Sequence, residues 1–114
     1  MSTLKIRDTA HHVVGMLVEG DYAGLEEASR GRRLTAEHLR QAVEEYGREL
    51  RMPPVSVFDN LDVIEFEDAT PRGWSVLVDL WTVEEGRSDL TLELVLTDTG
   101  GELYDIEIHD LHVL

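Results

Sequence analysis

Residues 74–108 read WSVLVDLWTVEEGRSDLTLELVLTDTGGELYDIEI, and the even-numbered positions carry most of the apolar bulk. Val76, Val78 and Leu80, then Leu90, Leu92, Leu94 and Leu96, then Tyr104, Ile106 and Ile108 recur at every second residue. A strand sends alternate side chains to opposite faces, so this period predicts three half-buried strands. They are Trp74–Val83, Asp89–Thr97 and Glu102–His109, joined by the glycine-containing turns Glu84–Ser88 and Asp98–Gly101. Asp110–Leu114 can extend the last strand. A one-residue slip would turn a whole apolar set outward, so only registers pairing even with even numbers are acceptable. One of these sets Leu80 against Leu92 and Leu94 against Ile106. A two-residue slip, which places Glu93 opposite Trp81, keeps the core equally well.

Upstream of this stretch the period is helical. Leu4, Ala10, Val13, Val14, Leu17 and Val18 predict a helix over residues 4–19, with Ser2 or Thr3 as cap, ended by Gly20 and Asp21. Asp21 caps a short second helix running to about Ser29, and Thr35 caps a third marked by Leu39, Ala42, Val43, Tyr46 and Leu50. Pro53 and Pro54 stop the third helix, and Leu61–Glu67 reads as a further strand. Helices first and antiparallel strands after them make one α+β domain over residues 1–114. Three N-terminal helices are expected on one face of a curved antiparallel sheet of about four strands.

The odd-numbered face of that sheet is the functional lead. In the first register it sets Asp79 beside Glu93 and Glu107, with Trp81, Thr91 and His109 in the next row and Leu77, Val95 and Asp105 on the other side. Neighbouring carboxylates with Cβ atoms about 5 Å apart repel unless a cation, an Arg or a proton lies between them. Plain solvation meets the same demand at little cost. Leu77, Trp81, Val83 and Val95 add more apolar surface than a freely solvated face needs, which points to coverage by a partner. The candidate binding residues are therefore Asp79, Trp81, Thr91, Glu93, Asp105, Glu107 and His109, with Arg87 reaching in from the hairpin. His109 and Asp79 are the candidate acid and base.

Charge and composition narrow the classes. The net charge is −14, and it is uneven: residues 1–58 hold nine acids and eight bases, whereas residues 59–114 hold fifteen acids and only Arg72 and Arg87. Such a surface repels phosphate backbones, so nucleic acid is not an expected partner, while a basic protein is. No run approaches the roughly 18 apolar residues of a membrane span, and Met1–Asp8 has no signal-peptide pattern, so a cytoplasmic location is expected. The chain has no cysteine, which removes disulfides, thiolate nucleophiles and thiolate metal sites.

Other motifs are sparse. His11 and His12 have no second His or acid four residues on, and Asp8, three and four residues before them, makes only a weak metal pair; strict alternation would put His109 and His112 on opposite faces. There is no glycine-rich phosphate loop, and neither a cofactor nor a metal is expected. Arg30, Arg32 and Arg33 could bind an anion or act as an internal counterweight to the acidic sheet.

The segment Trp81–Leu94, WTVEEGRSDLTLEL, resembles the signature hairpin of a small actinobacterial domain family of unknown function. The likeness extends to Val18–Tyr22 and Ile108–Leu114 and implies no established activity. Helices ending in Gly20, Asp21 and Tyr22 before a run of curved strands are also similar, at fold level, to the cone-shaped NTF2-like superfamily. That likeness implies a pocket enclosed between helices and a bent sheet, although the helix often inserted between the first strands is missing here.

Two readings follow. The first is an acidic binding or regulatory domain that meets a basic protein, or a second copy of itself, through the polar sheet face. The alternative is a small-molecule binder or enzyme with a carboxylate and histidine pocket. An interface needs the cluster on a broad surface; a pocket needs it recessed.

Overall fold

The computed structural model describes residues 2–113, with side chains described from Leu4 onward. Helix α1 spans Ser2–Glu19, α2 Tyr22–Ser29 and α3 Ala36–Tyr46. A two-residue strand β1, Leu50–Arg51, and a short helix α4, Val55–Asp59, lead into β2, Asp62–Glu65. Strands β3, Gly73–Thr82, β4, Gly86–Thr97, and β5, Asp105–Val113, complete the chain. The fold is the expected α+β arrangement, with an open antiparallel sheet of five strands rather than about four.

Local chemistry sets the helix ends. The Asp21 carboxylate accepts the Gly24 amide at 3.0 Å. Thr35 accepts from the His38 amide while its own amide donates to His38 Nδ1, a reciprocal cap. The capping expected of Ser2 or Thr3 lies outside the described side chains. Helix α3 stops at Tyr46, earlier than expected, because Gly47 adopts φ 75° and closes the helix with its amide on the Val43 carbonyl. The released chain lets Leu50 turn into the core as part of β1 instead of as a last helical turn.

The even-numbered side chains of the central strands face the core, as expected. Val76, Val78, Leu80, Leu90, Leu92, Leu94, Leu96, Tyr104, Ile106 and Ile108 are all buried, in one cluster with Val13, Val14, Leu17, Leu25 and Leu39 from the helices. The helices thus cover the even face and leave the odd face outside.

Register differs from the expectation by two residues in both central pairs. Leu77 faces Glu93 and Val78 faces Leu92, while Leu94 faces Ile108 and Leu96 faces Ile106. The turn after β3 is tighter than expected, with β4 beginning at Gly86, where φ is 76° and a Cβ would meet the Trp81 ring at 3.6 Å. The chain recovers the slack as a bulge in which Ser88–Leu90 face Leu80 alone. Buried Ser88 stabilises it, donating to the Leu80 carbonyl at 2.8 Å and accepting from the Leu90 amide at 3.2 Å. A second bulge inserts His109 between Ile108 and Asp110, which reverses parity, so Leu111 is buried opposite Leu92.

The arginine loop between α2 and α3 is an internal counterweight. Arg32 donates to the Asp105 carboxylate and to the Ile106 carbonyl, both at 2.7 Å. Arg33 forms an isolated parallel bridge with Ile108 and donates to the His109 carbonyl at 3.1 Å. This loop lies along β5.

Candidate functional site: a hollow beside Trp81

The site arises from how the third strand is flanked. β1 pairs with Trp81 and Thr82, and β2 pairs with Trp74–Leu77 on the same edge. Val78, Asp79 and Leu80 therefore have no strand beside them on that edge among the described residues. The chain crosses this notch as α4, anchored by buried Phe58, which packs on the His11 ring of α1 with centroids 4.9 Å apart. A hollow of about 380 Å³ results, lined by Ser56, Val57, Asn60, Leu61 and Asp62 from the crossing segment and by Leu77, Asp79, Trp81, Arg87 and Thr91 from the sheet.

The register orders charge along this face. One row holds Asp62, Leu77, Glu93 and Asp110; the next holds Asp79, Thr91 and His112; the third holds Arg51, Trp81 and Arg87. Acids stand at one end and arginines flank the tryptophan at the other. The Arg51 guanidinium lies over the Trp81 ring, 5.8 Å from its centroid. Neither Asp79 nor Arg87, both exposed, forms an ion pair among the described residues. Trp81 Nε1 and Thr91 Oγ1 are shut off from water and have no hydrogen-bond partner among those residues, and Thr91 as a whole is 1% exposed. Buried polar groups are paired in the great majority of cases, and two of the three orphans among the described residues, the third being His112 Nδ1, belong to residues that line this one hollow.

The rest of the expected cluster is elsewhere. The row of Asp79, Glu93 and Glu107 does not form, because each of these acids sits in a different row. His109 instead lies between Glu107, at 3.4 Å, and Glu93, at 3.8 Å, on the open part of the face. It is not in the row of Asp79, so the two candidate acid and base groups are not brought together. Asp105 is largely covered and held by Arg32. The His109 bulge also overturns strict alternation at the C-terminus: His112 joins the row of Thr91, with its Nδ1 3.2 Å from Asp110. Among the described residues no group of three or more His, Cys, Asp or Glu is arranged to hold a metal ion.

The hairpin is clamped both from outside and onto itself. Tyr46 donates to the Glu85 carboxylate at 2.8 Å, Thr82 donates to it at 3.0 Å, and the Glu49 amide donates to Glu84 at 3.0 Å. Burial, and then the hydrogen bond to Glu85, push the Tyr46 hydroxyl above its ordinary range, so it remains a donor. These ties hold Gly86 and Arg87 at the rim of the hollow.

Residues 14–114 match a family described as a domain of unknown function, DUF7668. The chain belongs to the DUF7668 family. Nothing among the curated proteins or the solved structures matches it. For this DUF7668 domain, the lining supplied by Ser56–Asp62 was beyond sequence reasoning. Five helical residues after two prolines carry no periodic signal, and only the notch in the sheet edge gives them a place. No helix among the described residues is long and apolar enough to cross a membrane.

Proposed function

We propose that this domain is a binding module that holds a small polar ligand in the hollow between α4 and Trp81. The observation that carries this reading is that two residues lining a concave volume of ligand size, Trp81 and Thr91, each carry a buried polar atom with no hydrogen-bond partner among the described residues. Val57, Leu61, Leu77 and the indole supply apolar wall, and Asp62, Asp79 and Arg87 supply charge. The hollow opens on the face turned away from α1–α3, unlike the enclosed pocket that the NTF2-like resemblance implies. A second reading keeps the basic protein partner. Glu93 and Glu107 are half-exposed, and their only ion-pair partner among the described residues is His109.

The test is an amide and indole NMR titration of the whole chain with separate small amines, carboxylates and amino acids. Binding at the hollow moves the Trp81 indole and the Thr91 and Asp79 amides and leaves the Trp74 indole in place. If no probe moves the Trp81 indole, the reading fails.

A further inference from the structure

The charge order across the hollow narrows its ligand class, an inference that rests on the reading above. A simple anion near Trp81 would be drawn to Arg51 and Arg87 but would meet Asp79 one row away and Asp62 and Glu93 two rows away. A simple cation would be drawn to Asp62 and Asp79 but would meet the two arginines beside the indole. A molecule carrying both signs satisfies both ends. Successive same-face rows are about 6.6 Å apart and neighbouring strands about 4.8 Å, so Asp79 and Arg87, one row and one strand apart, have Cα atoms about 8 Å from each other. Both residues line the hollow, so a compact molecule that carries an ammonium and a carboxylate close together can reach both.

We infer that the hollow binds a free amino-acid zwitterion with an apolar side chain, its ammonium on Asp79 and Asp62 and its carboxylate on Arg87 and Trp81 Nε1. The indole N–H can only donate, so it requires an acceptor such as a carboxylate oxygen. The Thr91 hydroxyl can donate or accept, and it lies in the Asp79 row between the two ends. Val57, Leu61 and Leu77 line the remaining wall and set the preference for an apolar side chain. Trp81 Nε1 and Thr91 Oγ1 are covered in the free protein, so the ligand reaches them as the lining of the hollow shifts on binding.

Calorimetric titration of the full chain with L-leucine, isopentylamine and 4-methylpentanoate tests this, because the last two each keep one charge of the first. L-leucine is expected to bind at least tenfold more tightly than either. Arg87→Gln should weaken L-leucine about ten- to hundredfold and leave isopentylamine unchanged, while Asp79→Asn should weaken L-leucine and leave 4-methylpentanoate unchanged. Circular-dichroism melts of the variants establish that each is folded. Equal binding of isopentylamine or of 4-methylpentanoate would overturn the zwitterion assignment, as would insensitivity of L-leucine to both variants. Should another probe move the Trp81 indole while L-leucine does not bind, the ligand class is wrong and the hollow stands; if none moves it, both readings fall.

Discussion

Replacing Thr91 by Val should make this protein more stable and worse at binding. Thr91 is 1% exposed, and its hydroxyl has no partner among the described residues. A buried hydroxyl in that condition carries an uncompensated desolvation cost of about 1–3 kcal/mol. Valine keeps the branched shape in a central strand, where β-branched side chains pack well, and puts a methyl where the hydroxyl was. Taking about 1–2 kcal/mol as recoverable, and about 4 °C per kcal/mol for a chain of this size, the melting temperature should rise by about 4–8 °C. Urea unfolding should show a higher midpoint with an unchanged slope. The same change removes a polar group from the hollow, so any ligand that moves the Trp81 indole should bind the variant more weakly, the familiar opposition of stability and function. A fall in melting temperature of more than about 3 °C would mean that the hydroxyl is satisfied in the folded state, and the case for the hollow would lose its main support.

Leu92→Ala should cost about 2–5 kcal/mol, since Leu92 is fully buried at the centre of the sheet, whereas Trp81→Ala should cost clearly less and mainly impair binding. Equal losses in urea unfolding would place Trp81 in the core. Asp105→Asn removes the carboxylate that Arg32 holds at 2.7 Å, and because Arg32 is partly exposed the cost should be about 1 kcal/mol. Hydrogen exchange should then quicken in residues 30–34, and unchanged exchange there would show that this pair does not hold the loop. Arg72 grips Glu65 through two hydrogen bonds, of 2.7 and 3.0 Å, and holds its carboxyl below the ordinary 4.5. The folded value lies below the unfolded one, so the stabilisation is present above about pH 4.5 and is lost as pH falls through the folded value. Wild type and Glu65→Gln should therefore differ in stability near neutral pH and converge in acid, and a constant difference across that range would refute the pairing.

The site was legible in part. Asp79, Trp81, Thr91 and Arg87 were candidates from parity and the hairpin alone, and all four line the hollow. Glu93, Glu107 and His109 shared the face but not the site, because a two-residue step in register preserves parity while moving every cross-strand neighbour. Asp105 could not be told from the free acids until the arginine loop was placed on it.

Alternation of large apolar residues, read from the chain alone, determined which face of each strand is buried, because a strand that presents Leu92 inward must present Glu93 outward. Cap chemistry at Asp21 and Thr35 likewise placed two helix starts, since those side chains act on amides only three residues away. Tertiary structure decided the rest: the turn that set the register, the bulges at Ser88–Leu90 and His109, and the notch in the β3 edge that α4 crosses. Even where the residues involved are near in sequence, as at the turn and the Ser88–Leu90 bulge, many pairings satisfy the same local pattern and only packing of the whole selects one.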